Sequence, residues 1–173
     1  MQLDRLKTWT EILTTWIGVL SLVAAGSFGV FQYLDKKRDD RIKETLAFLD
    51  RYNGEVMIKS RERIADAWRG REGEQARILK DPLSSAEDFY GFTRKVIHDE
   101  NLPGQIAHLH DFYAALYVCV ENQICEKSVA ILLFQADARA YFNQHYAYIA
   151  DQRANGGDAS IGGGLEKFYR LRN

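Results

Sequence analysis

A long stretch without charged side chains lies near the start of the chain and limits what this part can fold into. The 23 residues from Ile12 to Leu34 include no Asp, Glu, Lys, Arg or His. As a helix with a rise of about 1.5 Å per residue, the stretch is about 35 Å long, while the hydrocarbon core of a bilayer is about 30 Å thick. Aromatic residues of the kind found at membrane interfaces lie near both ends: Trp9, Trp16, Phe31 and Tyr33. The stretch therefore predicts a transmembrane helix.

Two other interpretations of this stretch are open. A secretory signal peptide would use Ile12–Leu22 as its apolar segment and would be cleaved after the small residues Val23-Ala24-Ala25. However, the apolar run continues beyond Ala25, and charged residues that impede export follow it. A buried core helix is the other alternative, but 23 uncharged residues are long for such a helix. A membrane anchor is the preferred prediction.

Basic residues are unequally distributed on the two sides of the predicted span. Only Arg5, Lys7 and the amino terminus precede it, whereas five basic side chains follow it closely: Lys36, Lys37, Arg38, Arg41 and Lys43. Lys and Arg next to a span resist translocation. We therefore expect a single-pass protein of the bacterial inner membrane, with residues 1–11 as a short extracytoplasmic tail, 12–34 as the transmembrane helix and the C-terminal bulk in the cytoplasm.

The rest of the chain has the periodicity of α-helices. Apolar residues recur every three or four positions in five segments, and no segment alternates with the period of a strand. The segments are centred on Ile42–Leu49, Met57–Trp68, Phe89–Ile97, Ile106–Val120 and Lys127–Ala150. Ser84-Ser85-Ala86-Glu87 predicts a capping box before the third. We expect an all-α fold, in which residues 35–153 form a cytoplasmic bundle of about five helices and residues 154–173 form a Gly-rich loop and a short C-terminal helix.

The two cysteines, Cys119 and Cys125, lie six positions apart in an apolar segment with helical periodicity. A helix would turn them to different faces, so we expect buried free thiols in a reducing compartment and no disulfide between them. No Cys or His at ligand spacing accompanies them, and the sequence predicts no metal site and no cofactor. The formal net charge is −1, so the sequence predicts no general electrostatic attraction to nucleic acid.

Small and polar residues form a stripe along the predicted span. They recur at heptad-like spacing, with Gly29 close beside them: Thr14, Gly18, Ser21, Ala25 and Gln32. In lipid, small side chains let helix backbones approach closely, and Ser, Thr and Gln can hydrogen-bond between helices. The stripe predicts self-association into a homo-oligomer. Continued backward by seven positions from Gly18, the stripe meets Glu11, which would place carboxylates at the outer mouth of a small pore.

The segment from Arg139 to His145 matches the motif of an arginine, four to six residues and a histidine that is found in HEPN ribonucleases. The resemblance implies a helical bundle in which two protomers bring these side chains to an RNA phosphate. Arg139 would then stabilise phosphate charge and His145 would transfer a proton, without a metal. A chain of this composition yields about one such match by chance. A structural role for both residues, at the edge of an aromatic-rich helix, therefore stays open.

A resemblance to a larger group rests on the segment from Leu109 to Ile149, on TLAFLDRYN before it and on the single span. These features resemble an uncharacterised bacterial family of small membrane-anchored proteins with a cytoplasmic helical domain of unknown function. The same plan is similar to the membrane accessory proteins of type VI-B CRISPR systems. That resemblance implies a divergent HEPN-like bundle and a membrane pore that strengthens phage defence.

Together these features predict an assembly or effector module at the membrane that acts by interaction and not by turnover, in phage defence or stress. Its expected partners are membrane lipid, further copies of itself and an unidentified protein. The alternative is a membrane-tethered HEPN-like ribonuclease that uses Arg139 and His145. RNA is a partner only under that alternative.

Overall fold

Seven α-helices make up most of the chain that the computed structural model describes, which comprises residues 2–81, 85–155 and 160–172. The helices are α1 (Gln2–Tyr52), α2 (Glu55–Arg69), α3 (Glu72–Lys80), α4 (Ala86–Asp99), α5 (Pro103–Glu121), α6 (Lys127–Ala154) and α7 (Gly163–Tyr169). The described ranges contain no strand. The prediction of an all-α fold is confirmed.

The chain divides into two units, residues 1–40 and residues 41–173. In the first unit, every side chain described from Ala24 to Asp40 is exposed. Among the residues that the structure describes, no helix combines the length and the apolar character needed to cross a membrane. Side chains at positions 2–15, 17–19 and 23 are outside that description.

The second unit is held together by an aromatic core. Phe112 on α5 lies at its centre, with ring centroids 5.2 Å from Tyr52, 5.6 Å from Phe134 and 5.8 Å from Phe48. Edge and tilted arrangements of this kind are favourable beyond the area that they bury. The end of α1, together with α5 and α6, therefore forms one packed core, and the apolar faces of α2, α4 and α7 extend it.

Helix α4 begins with a capping box, but one residue later than the sequence predicted. The Ser85 side chain accepts from the backbone N–H of Asp88, and the Asp88 carboxylate accepts from the backbone N–H of Ser85. Ser84, the predicted first residue of the box, lies outside the described residues. Aspartate three positions after the cap can accept from the cap backbone N–H as glutamate does. The pair Ser85 and Asp88 is therefore as suitable for a capping box as the predicted pair Ser84 and Glu87.

The prediction for the cysteines is wrong, because Cys119 and Cys125 form a disulfide. Helix α5 ends at Glu121, so Cys125 is not on the helix that carries Cys119. Gln123 has φ 56°, and this left-handed residue reverses the chain so that the backbone N–H groups of Ile124 and Cys125 donate to the Cys119 carbonyl. The two Cα atoms are 5.2 Å apart, within the range for a disulfide.

Helix α7 packs closely on α5 at Gly164. A Cβ at this position would lie 2.5 Å from the Cα of Ala114, which is shorter than atoms approach without a shift of the backbone. We therefore expect Gly164→Ala to lower the free energy of unfolding by at least about 1 kcal/mol. Gly91→Ala is the matched control, because no atom lies within 4 Å of its added Cβ in α4.

Urea unfolding followed by circular dichroism measures both glycine variants. Gly91→Ala should raise the free energy of unfolding by up to about 1 kcal/mol, since alanine favours a helix. Equal stabilities of the two alanine variants would contradict the close approach of α7 to α5.

Candidate functional site

A cleft of about 520 Å³ opens between α2, the end of α1 and α6. We call it the Trp68 cleft. The side chains that matter for its chemistry are Tyr52, Arg61, Trp68, Asp137, Tyr141 and Gln144. Its size is in the range of sites for small molecules. Four aromatic side chains line it together with six charged or amide side chains, which also include Arg69 and Glu72. All of these residues belong to the second unit of the chain.

One wall of the cleft carries a chain of hydroxyl groups that ends on a carboxylate. The Tyr52 hydroxyl donates to Asp137 Oδ2 at 3.1 Å, and it is also hydrogen-bonded to the hydroxyl of Tyr113. Burial raises the pKa of Tyr52 and Tyr113 because their phenolates would lose hydration. Both hydroxyls therefore stay protonated and act as hydrogen-bond donors near neutral pH.

Arg61 projects from α2 over the ring of Tyr52, with its guanidinium carbon 4.1 Å from the ring centroid. Its hydrogen bond to the Tyr52 carbonyl is long, at 3.5 Å. In the described part of the chain, no carboxylate lies within salt-bridge distance of Arg61. The cleft thus contains a partly buried cation without an anionic partner.

His145 lies behind the cleft and is completely buried. Its Nδ1 lies 2.9 Å from the carbonyl oxygen of Tyr141. A carbonyl oxygen only accepts, so Nδ1 carries the proton and Nε2 carries a lone pair. Burial lowers the pKa of His145 to about 4, because the imidazolium would lose hydration. The ring is therefore neutral at physiological pH.

Trp68 and His145 each carry a buried nitrogen without a hydrogen-bond partner in the described residues. The rings are edge to face, with centroids 6.2 Å apart. The two nitrogens are the indole N–H of Trp68 and Nε2 of His145. One is a donor and the other an acceptor. Unsatisfied buried polar atoms are uncommon and mark positions where a further polar group would be stabilising.

The two residues of the HEPN-like motif are in different environments. Arg139 is exposed on α6, whereas His145 faces the core. A scissile phosphate that reached the Arg139 guanidinium in this conformation would not reach the buried His145 ring. The ribonuclease interpretation stays a prediction, and it requires a conformational change that exposes His145.

Part of the predicted small-residue stripe can be placed. Ser21, Ala25, Gly29 and Gln32 are exposed on α1, and an added Cβ at Gly29 would have no atom within 4 Å. The side chains of the remaining members and of the predicted pore mouth, Thr14, Gly18 and Glu11, lie outside the described residues. Self-association through this stripe stays a prediction.

The sequence did not single out Arg61 or Asp137. Arg61 lies in a run of mixed charges from Lys59 to Arg71, a pattern typical of a solvated helix face. Whether Arg61 has a carboxylate partner is determined by the tertiary structure, and no local sequence pattern predicts it. The burial of His145 was detectable, because it continues a helical stripe of spacing four, four, three and four: Phe134, Ala138, Phe142, His145 and Ile149.

The chain was compared with protein families, curated proteins and solved structures. It matches no known protein family, no curated protein and no solved structure. In the described residues, no group of three or more His, Cys, Asp or Glu side chains could hold a metal ion. The site must therefore be interpreted from its own geometry.

Proposed function

We propose that this protein is a membrane-anchored, self-associating interaction or effector module. The observation that carries the proposal is the exposure of apolar side chains on every side of α1. Between 57% and 76% of each of these side chains is accessible: Trp16, Leu20, Leu22, Phe28, Val30, Phe31, Tyr33 and Leu34. A helix that is apolar all round needs an apolar environment, and uncharged residues from Ile12 to Leu34 suit lipid.

The side of the membrane on which the bundle lies is indicated by two features that disagree. Basic residues directly after the apolar stretch favour a cytoplasmic bundle. The disulfide between Cys119 and Cys125 favours an oxidising compartment. We propose the cytoplasmic side of a bacterial inner membrane, because the charge bias acts during insertion, before the bundle folds. A role in phage defence or stress, and a pore, are extensions of this proposal that rest on the sequence resemblance alone.

Membrane fractionation of the full-length chain tests the anchor. We expect the wild type to stay in the membrane after alkaline carbonate washing, and the pair Leu22→Arg and Val30→Arg to release it. An arginine at the centre of a span costs about 2.5–3.5 kcal/mol on insertion scales. Leu132→Arg is the control, because Leu132 is 82% exposed in the helical bundle. Release of the wild type, or equal retention of all variants, would contradict the anchor.

Self-association is tested by the mass of the full-length protein in a mild detergent. We expect a defined oligomer, and we expect Ala25→Leu to shift it toward monomer because the added methyl groups keep the helix backbones apart. Ala24→Leu is the matched control, since Ala24 is also exposed but lies off the stripe. A monomeric wild type would exclude both the oligomer and the pore.

A further inference from the structure

We propose that the Trp68 cleft binds a small ligand that combines a planar aromatic ring with one anionic group. Arg61 is the partner of the anion, and Trp68 and Tyr141 form the wall against which the ring packs. All three residues line the cleft. This inference does not depend on the membrane anchor, because every residue of the cleft lies in residues 41–173.

The unpaired state of Arg61 distinguishes it from its neighbours. Arg63 contacts Glu100 at 3.1 Å, Arg69 contacts Asp66 at 2.7 Å and Arg71 contacts Glu100 at 3.3 Å. Arg61 and Arg69 both line the cleft, and of these two it is Arg61 that has no carboxylate partner in the described residues. A guanidinium presents parallel N–H donors that fit a carboxylate or a phosphate. Because Arg61 is held over Tyr52, it is already oriented before the anion arrives.

The aromatic wall supplies the second element of recognition. Trp68 is buried, with a relative accessibility of 7% for the residue, yet its indole N–H has no partner among the described residues. Packing of a ring against Trp68 and Tyr141 would bury apolar area. Gln75 and Gln144 also line the cleft, and neither side chain makes a hydrogen bond to a described residue. Their amides are available to the polar edge of a ring.

Asp137 defines where the anion binds. Its carboxylate lies on the α6 wall and accepts from Tyr52, whereas Arg61 lies on α2. Glu72 is a second carboxylate that lines the cleft. An anion is repelled by Asp137 and Glu72 and attracted by Arg61, so it binds next to Arg61 on α2. Asp137→Asn should therefore strengthen binding of an anion. A zwitterionic ligand would instead lose an attractive partner and bind more weakly.

The anion can come from a phosphate or from a carboxylate, and the probes distinguish these sources. AMP is the phosphate probe, with adenosine as its neutral counterpart; phenylacetate is the carboxylate probe, with phenylacetamide as its counterpart. The chain contains three tryptophans, Trp9, Trp16 and Trp68. In the full-length variant with Trp9→Phe and Trp16→Phe, one indole N–H resonance remains and reports on the cleft. Its chemical shift in detergent is followed as each probe is added.

We expect a saturable shift with AMP, phenylacetate or both, and at least tenfold weaker binding of the neutral counterparts. Arg61→Gln should weaken anion binding at least tenfold, whereas the control Arg63→Gln should change it less than twofold. Arg61→Lys keeps the charge but loses the planar fork, so intermediate affinity is expected. Because Arg61→Lys keeps the cation over Tyr52, it also tests the proposal if Arg61→Gln fails to fold.

Several results would overturn the proposal. These are the absence of a saturable shift with all four probes, equal affinity of charged and neutral probes, and wild-type affinity of Arg61→Gln. Weaker binding of AMP and phenylacetate to Asp137→Asn would also overturn it, because a cationic or zwitterionic ligand would then fit better. Binding of AMP alone would support a phosphate ligand, and binding of phenylacetate alone would support a carboxylate ligand.

Discussion

Acidification from pH 7.5 to pH 5 is expected to remove about 2 kcal/mol of unfolding free energy through His145 alone. Burial lowers the pKa of His145 in the folded state from the ordinary value of 6.5 to about 4. The unfolded chain therefore binds a proton as the pH falls through 6.5, while the folded chain does not bind one until about pH 4. The contribution of neutral His145 to the free energy of unfolding is fully present above pH 6.5 and declines below it. At pH 4 and lower, about 3 kcal/mol of this free energy has been lost.

Urea unfolding of the full-length protein at a series of pH values measures this decline. His145→Gln should flatten the curve below pH 6.5, because it removes the group whose two states differ. His98→Gln is the matched control, since its side chain is 92% exposed and lies on the surface of α4. A decline of equal slope in wild type and His145→Gln would show that the acid sensitivity arises elsewhere.

His110 contributes to the same decline. Burial lowers its pKa to about 4 as well, and its Nε2 is another buried nitrogen without a hydrogen-bond partner in the described residues. Proximity of the two imidazoles lowers the pKa of His145 further, since two positive charges would repel each other. The free energy of unfolding of the His145→Gln variant should therefore still decline below pH 6.5, and this remaining decline should arise largely from His110.

Helical periodicity in the sequence was sufficient to predict where the large buried helices lie. Segments such as Ile106–Val120 repeat apolar residues every three or four positions, and α5 spans Pro103–Glu121 with those residues in the core. Helix α3 was missed for the same physical reason. None of its side chains is buried, so no apolar stripe marks Glu72–Lys80 as a helix.

The candidate site was predictable only in part. Trp68 follows the apolar pattern of α2, and the stripe on α6 implies that His145 is internal. The functional interpretation depends instead on which charged groups lack partners, as Arg61 does, and that is determined by contacts between helices. The HEPN-like motif shows the converse case, because the separation of Arg139 and His145 alone does not tell whether the two side chains share one environment. Arg139 directly follows the buried Ala138 and is exposed.

Reduction of the Cys119–Cys125 disulfide is expected to lower the free energy of unfolding by about 2 kcal/mol. The two cysteines are six positions apart, and a cross-link that closes so short a loop restricts the unfolded chain by about this amount. The closed turn leads directly into a contact with the end of α1. The backbone N–H of Glu126 donates to Thr45 Oγ1 at 2.8 Å, and its side chain contacts Arg41 at 3.2 Å.

Urea unfolding with and without a dithiol reductant measures the effect of the disulfide. The double variant Cys119→Ser and Cys125→Ser is the control, and its stability should not respond to the reductant. If wild-type protein shown to be oxidised by thiol alkylation is no more stable than its reduced form, the turn is already ordered by Gln123 and its hydrogen bonds. That result would contradict a stabilising role for the disulfide.

The redox state of this pair in living cells also tests the proposed orientation, in which the membrane anchor leaves the bundle in the cytoplasm. Alkylation with a mass tag before cell lysis counts the reduced thiols. Thiols in the bacterial cytoplasm are kept reduced, so a bundle on that side should add two tags per chain. A bundle outside the membrane should add none, because Cys119 and Cys125 would be oxidised. The basic residues after the apolar stretch favour two tags. Untagged protein would reverse the proposed orientation, and it would make the disulfide a permanent part of the fold.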